Sequence, residues 1–267
     1  MSETTIAEAA STLRALGAYA RAAVVRLPDG VTDKVSAAGR LAAGVPALHG
    51  EPLLEWTALC DAISGIGAAL EGTDAAAAVR RVEQRLKEAD LDHERLAQAA
   101  LDGGWEAVAA TATMLRLDPE LLVTTLDWAA RPALRVARVA LGSVVADARW
   151  SAGYCPACGA PPVLSVVRGK ERERRLHCGR CGTSWAYERV RCPTCGQRDH
   201  GRMGYLHAEG EGEHRRAEVC DACRTYVKSV MLLDAPDPDR LLELDLETAA
   251  LDFLALDAGY QRSPVAG

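Results

Sequence analysis

Eight of the nine cysteines in this chain fall between Cys155 and Cys223, as four Cys-x-x-Cys pairs. The pairs are Cys155/Cys158, Cys178/Cys181, Cys192/Cys195 and Cys220/Cys223. Thiolate is the soft ligand that zinc and iron select, and a tight turn aims two thiolates at one ion. Gly159, Gly182 and Gly196 each follow the second cysteine of a pair and permit the positive φ with which the chain leaves such a turn. Arg224 stands at that place after the fourth pair. Between Cys158 and Cys178 lie 19 residues, and between Cys195 and Cys220 lie 24. The first interval is usual for a two-knuckle site, and the second leaves room for a hairpin with an extended tip. The spacing therefore predicts two tetrahedral sites, Cys155/Cys158/Cys178/Cys181 and Cys192/Cys195/Cys220/Cys223, with an interleaved cross-brace as the alternative. Four protein thiolates close each site, which makes the metals structural rather than hydrolytic. Zinc and rubredoxin-like iron share this ligand set, so two metal ions of either kind are the expected cofactors.

Other chemistry is harder to find. A disulfide framework suits an oxidising compartment, and a thioredoxin-like motif needs a single pair opening a helix within a βαβ unit. Neither context is present. Cys60 sits in an apolar stretch of helical spacing and reads as a small core residue. His177, His200, His207 and His214 are not needed as ligands and read as surface or supporting residues, with His177 placed to donate toward the Cys178 sulfur. Trp185 and Tyr187 alternate on one strand and would pack over a ribbon with a small core. No activated nucleophile pattern, Gly-rich phosphate loop or open metal position appears, so no catalytic residue is assigned and the chain reads as a non-enzyme.

The elements around the cysteines divide into three stretches. Residues 1–150 read as six or seven helices forming a helical domain. Glu51-Pro52 looks like a helix start, with Leu53, Trp56, Leu59, Ile63, Ile66 and Leu70 along one face. Gly72-Thr73-Asp74 ends that helix and caps the next, and Asp118-Pro119-Glu120 is a further start. Pro132 would restart the chain into a last helix. Residues 151–233 form the twin four-cysteine ribbon domain, with strands expected over Val163 to Val167, Ser184 to Val190 and Thr225 to Leu232. The charged run from Arg168 to Arg175 reads as a solvated hairpin tip. Asp234 to Pro238 is a breaker-rich linker, and residues 234–267 carry a C-terminal helix through Leu241, Leu244, Leu251, Phe253 and Leu256 before a frayed tail. The fold class expected is α+β.

Composition bounds the partners. Of 267 residues 49% are hydrophobic and 25% charged, which is ordinary for a globular protein. Aromatics reach only 4%, with Phe253 the single Phe, so Leu, Val and Ala must build the core and helices are favoured. No apolar run approaches the roughly 20 residues of a membrane span. Positions 1–20 lack the features of a secretory signal, so a cytoplasmic location is expected. The net charge is −6. From Ser151 to Leu233 there are 14 Lys/Arg against 9 Asp/Glu, and two zinc–tetrathiolate sites at −2 each would bring that excess of +5 down to about +1. That is too weak for a phosphate-binding ribbon, so nucleic acid is an unlikely partner.

The order of motifs resembles the formate dehydrogenase accessory protein family, FdhE. The resemblance rests on Cys155-Pro156-Ala157-Cys158-Gly159 with Pro162-Val163, on Leu176-His177-Cys178-Gly179-Arg180-Cys181, and on Trp185, Arg189 and Cys192 to Cys195. It continues through Ala217-Glu218-Val219-Cys220-Asp221-Ala222-Cys223-Arg224-Thr225-Tyr226-Val227-Lys228, Leu251-Asp252 and Gly259-Tyr260-Gln261-Arg262. It is dense from Tyr154 to Arg262 and faint before. Where the family tends to carry paired acids ahead of the C-terminal helix, this chain has Leu244-Asp245. The resemblance implies a cytoplasmic, non-enzymatic factor needed for active formate dehydrogenase, contact with that enzyme's catalytic subunit, and rubredoxin-like iron sites. Arg189, Tyr226 and Lys228 are the candidate contact residues on the metal head, and self-association is left open. A nucleic-acid-binding zinc ribbon and a rubredoxin-like electron-transfer protein are the competing classes.

Overall fold

The computed structural model describes residues 3–169, 171–208, 214–237 and 240–263, with side chains from Glu8 onward. Lys170 of the expected hairpin tip, Pro238 of the linker and the tail from Pro264 lie outside these residues. The chain forms two compact units. One takes the chain up to Gly39 together with Ala47–Val145, and the other takes Arg40–Pro46 with the chain from Ala146.

Eight helices precede the first strand among the described residues: α1 (Glu3–Ala22), α2 (Lys34–Ala42), α3 (Trp56–Ala69), α4 (Asp74–Glu88), α5 (His93–Asp102), α6 (Trp105–Leu115), α7 (Pro119–Ala140) and α8 (Gly142–Asp147). Within the first unit α7 packs against α1, α3, α4, α5 and α6. Its buried stripe runs from Leu122 and Leu126 to Ala129, Ala133 and Ala137, and the small residues let neighbouring helices approach its axis. The caps form where the sequence places them. Thr73 accepts from the Ala76 N–H, and Asp118 accepts from the N–H groups of Glu120 and Leu121.

Two helix expectations are corrected. Pro52 does not open α3, because the Glu51 carbonyl accepts from the Leu53 N–H at 2.8 Å and is spent in a tight turn. Leu53 and Leu54 are buried ahead of the helix instead, and α3 begins at Trp56. Pro132 does not restart the chain but sits inside α7. Its missing N–H leaves the Trp128 carbonyl without the usual helical partner, and the buried neighbours Ala129, Ala130, Ala133 and Leu134 hold the helix through that defect. Cys60 is half-buried rather than in the core, since it lies off the Leu59–Ile63–Ile66 stripe of α3.

The second unit is a seven-stranded sheet: β1 (Pro162–Arg168), β2 (Glu173–Cys178), β3 (Ser184–Ala186), β4 (Met203–Leu206), β5 (Arg215–Cys220), β6 (Thr225–Leu232) and β7 (Gln261–Arg262). The order is β3-β2-β1-β6-β5-β4. β1 and β6 meet in parallel from Leu164↔Lys228 to Arg168↔Leu232, which joins two antiparallel ribbons. β7 pairs in parallel with Thr225 and Tyr226. Helices α9 (Arg240–Glu247) and α10 (Ala249–Asp257) cover one face. Leu241 and Leu244 of α9 pack on Leu164, Val166 and Val230, while Leu251 and Ala255 of α10 pack on Ala217, Val219 and Tyr226. The single C-terminal helix expected is thus two, broken at Thr248, whose buried hydroxyl donates toward the Leu244 carbonyl at 2.7 Å.

The expected hairpin tip is also corrected. Glu173, Arg174 and Arg175 belong to β2, and Arg174 is buried. Its guanidinium donates to the Ser165 hydroxyl, the Glu188 and Arg191 carbonyls and the Glu218 carboxylate, over 2.6–3.0 Å. Those two carbonyls turn inward toward it, and β3 stops at Ala186 short of the expected Val190.

Candidate metal centres

Each pair of cysteines lies on a turn that the backbone closes in the same way. The Gly159 N–H donates to the Cys155 carbonyl at 2.9 Å, and the Gly196 N–H to that of Cys192 at 3.0 Å. Gly182 and Arg224 do likewise to Cys178 and Cys220, at 3.2 and 2.8 Å. In both ribbons a strand delivers the chain into the second knuckle, β2 ending on Cys178 and β5 on Cys220. A threonine two residues after the last cysteine then sets its hydroxyl 3.1 Å from that sulfur, Thr183 by Cys181 and Thr225 by Cys223.

The sulfurs gather into two sets of four, Cys155/Cys158/Cys178/Cys181 and Cys192/Cys195/Cys220/Cys223, each with every Sγ within 4.8 Å of the others. The interleaved cross-brace is not the arrangement adopted. Within the sets, Cys155 to Cys181 and Cys158 to Cys178 measure 3.5 Å, Cys192 to Cys223 3.6 Å and Cys195 to Cys220 3.7 Å. A regular tetrahedron of metal–sulfur bonds near 2.3 Å has edges of about 3.8 Å, so the donors are spaced to fit zinc or iron.

Electrostatics point the same way. The first set is wholly buried. Burial pushes the Cys155 thiol well above its usual range. Burial also opposes ionisation of Cys181, yet donation from Cys155, Cys158, Cys178 and Thr183 holds its thiol well below that range. Four thiolates buried together require a cation at their centre. Burial, with Arg175 and Arg168 nearby, pushes His177 down to about 4, so the imidazole beside Cys178 is neutral and buried rather than at the surface. His200, His207 and His214 are exposed.

Trp185 and Tyr187 are buried on the ribbon as the sequence leads one to expect, and their polar ends add hydrogen bonds it did not disclose. The Tyr187 hydroxyl donates to the Cys192 carbonyl at 3.1 Å, and the Trp185 indole to the Ala152 carbonyl at 3.2 Å. Gly153 lies against the Cys192–Cys195 turn, where a Cβ would fall 1.8 Å from the Pro193 carbonyl oxygen. Gly153→Ala must therefore push backbone against backbone. It is expected to cost about 1–3 kcal/mol in a denaturant melt and to weaken metal retention by the second set selectively. Among the candidate contact residues, Arg189 is exposed, but Tyr226 and Lys228 are buried and face the helices. The Lys228 ammonium pairs with Asp245 and Asp252, each at 2.7 Å, and the Tyr226 hydroxyl donates to Asp252 at 2.7 Å. Arg262 closes the cluster on the same two carboxylates, at 2.6 and 2.8 Å. Tyr226 and Lys228 are committed to holding α9, α10 and β7 on the sheet and are buried away from any partner.

Known proteins resemble this part of the chain. Residues 154–189 match the model of the FdhE central domain, and residues 190–266 match that of the FdhE C-terminal domain. A protein FdhE homolog of Stutzerimonas stutzeri is 40% identical over 111 residues, covering 40% of this chain and 35% of the relative. One of Pseudomonas aeruginosa is 33% identical over 185 residues, covering 66% of this chain and 59% of the relative. The aligned stretches thus span about a third to three fifths of these relatives' lengths. The crystal structure of the FdhE protein from Pseudomonas aeruginosa superposes with a TM-score of 0.68 and 27% identity, over 95% of this chain and 85% of that one. In this chain the shared fold places helices ahead of a mixed sheet and two four-cysteine clusters. Matched domains, relatives and fold agree that the chain is similar to FdhE proteins.

Proposed function

We propose that each four-cysteine set holds one metal ion, iron or zinc, through Cys155, Cys158, Cys178 and Cys181 or through Cys192, Cys195, Cys220 and Cys223. We propose further that the metal-stabilised head serves a cytoplasmic accessory factor for formate dehydrogenase. The factor binds the enzyme's catalytic subunit and does not oxidise formate itself. The observation that carries this reading is the pair of closed sulfur tetrads in an FdhE-like fold. When bound, the ions supply folding energy and a rigid ribbon surface, because no ligand position is left for substrate. No helix among the described residues is long and apolar enough to cross a membrane.

Two measurements test it. Purified protein should carry two ions per chain with sulfur as the sole ligand in X-ray absorption spectra, and a nitrogen shell or a single ion would overturn the ligand assignment. Deleting the gene should lower cellular formate dehydrogenase activity, while the purified chain alone oxidises no formate. Unchanged activity in the deletion strain would remove the accessory role and leave the metal sites standing. Charge reversal at exposed Arg189 should weaken capture of the catalytic subunit without releasing metal, a readout the buried Lys228 cannot give.

A further inference from the structure

The two tetrads differ in shelter. All four cysteines of the first are buried, whereas in the second Cys195 is exposed and Cys223 is half-buried. They differ also in the residue next after the last cysteine. Gly182 leaves the first tetrad at φ 76°, and Arg224 leaves the second at φ 55°. A non-glycine residue in that region carries steric strain of about 1–2 kcal/mol. Such strain persists only where the surroundings impose it, and here the Arg224 side chain shows what it does in return. It donates to the Ala258 carbonyl at 2.7 Å, pairs with Asp221 at 3.2 Å and lies 4.0 Å over the Tyr260 ring.

The segment after α10 answers from its own side. The Tyr260 hydroxyl donates to Asp221, and the Gln261 N–H donates to the Arg224 carbonyl at 3.0 Å. Gly259, at φ 79°, keeps clear a space in which a Cβ would stand 3.0 Å from an Arg224 nitrogen. Beyond Gln261, Arg262 reaches Asp245 and Asp252, the acids that also hold Lys228 beneath the helices. The turn Cys220–Arg224 is thus at once one knuckle of the second tetrad and the anchor of the segment Ala258–Arg262.

We infer that the second tetrad is the exchangeable metal site and that Arg224 relays its occupancy to the segment Ala258–Arg262, which docks when the ion is present and comes free when it leaves. This rests on the proposed metal binding. Cys195 would be the ligand that gives way first: its exposed sulfur is the one an incoming donor can reach, and the thiolate set free would be protonated by solvent, with no change of oxidation state. Without its ion the Cys220–Cys223 turn loses the ligand bonds that fix it, and the contacts with Asp221, Ala258 and Tyr260 are left to hold the strained Arg224 alone. The first tetrad offers no exposed sulfur for the same attack and leaves through a glycine that bears no such strain.

The test uses the full chain loaded with two equivalents of zinc, a chromophoric chelator, and hydrogen exchange read by mass spectrometry. One equivalent should leave about tenfold faster or more, the range that outer shelter of a metal site commands. Amide exchange at Gly259, Tyr260 and Gln261 should rise with that phase, while residues 155–182 stay protected. Arg224→Gly keeps a turn that glycine favours and should retain both ions. Yet it should raise exchange of the same amides about tenfold with both sites full, the loss of one charge-assisted hydrogen bond. Cys195→Ser should abolish the fast phase and leave the segment unprotected from the start. Release of both equivalents at one rate, or a segment that stays protected after the fast equivalent has gone, overturns the inference while the metal reading stands. A chain that binds no zinc overturns both.

Discussion

Replacing Cys155 and Cys158 together by serine will leave the purified chain with one metal ion instead of two and will unfold its first ribbon. The effect should be among the largest that two substitutions can have here. In zinc-finger peptides a structural zinc site contributes roughly 10–16 kcal/mol of apparent folding free energy, against about 5–15 kcal/mol for the net stability of a whole domain. Serine adds a second loss, since two hydroxyls would replace sulfurs in a pocket where Cys155, Cys178 and Cys181 are fully buried. The helices of the first unit, up to Gly39 and over Ala47–Val145, have their own core. They should keep most of the helical circular dichroism while the sheet's amides lose protection from hydrogen exchange. Metal analysis decides between three results. Two ions retained would show that these cysteines are not ligands, one ion retained is the outcome expected, and loss of both would make the two ribbons one cooperative head. The parallel pairing of β1 with β6 is the contact through which such cooperativity would pass.

How far the sequence disclosed this protein depended on the range of the interaction. The four knuckles were legible because spacing and glycine placement state them locally, and the structure gathers the same two sets of four sulfurs. The caps at Thr73 and Asp118 were legible for the same reason. What was hidden depends on partners far along the chain. Arg174 reads as solvated beside Glu173 and Arg175, because Glu218, which neutralises it, lies 44 residues away. Lys228 reads as a surface contact because Asp252 lies 24 residues on. Pro132 reads as a stop because nothing local reveals the packing that carries α7 through it. Arg224 shows the converse. Its departure from the glycine pattern was visible at once, but its reason lies in Ala258 and Tyr260, on a segment that arrives only when the sheet is complete.

Arg174→Met should destabilise the second unit by about 3–5 kcal/mol, the usual penalty for leaving one buried charge without its partner. Arg174 and Glu218 are only 1% and 6% exposed and meet at 2.6 Å, so water cannot take over when one is removed. Arg216 reaches the other Glu218 oxygen at 3.5 Å, which is too long to replace a charge-assisted bond. The double variant Arg174→Met, Glu218→Leu removes both charges and should recover most of that loss in a denaturant melt, because a packed apolar pair does as well as a buried ion pair. Metal retention should take a different course. Arg174 also holds the Glu188 and Arg191 carbonyls at 2.8 and 2.9 Å, on the stretch that leads directly into Cys192. Methionine donates no hydrogen bond, so neither the single nor the double variant can fix that stretch. Both should therefore lose the ion of the second tetrad faster than the parent chain, even where the double variant regains its stability. If stability and metal retention return together, the ion pair alone accounts for Arg174. If only stability returns, Arg174 is a positioning residue for the Cys192–Cys195 knuckle.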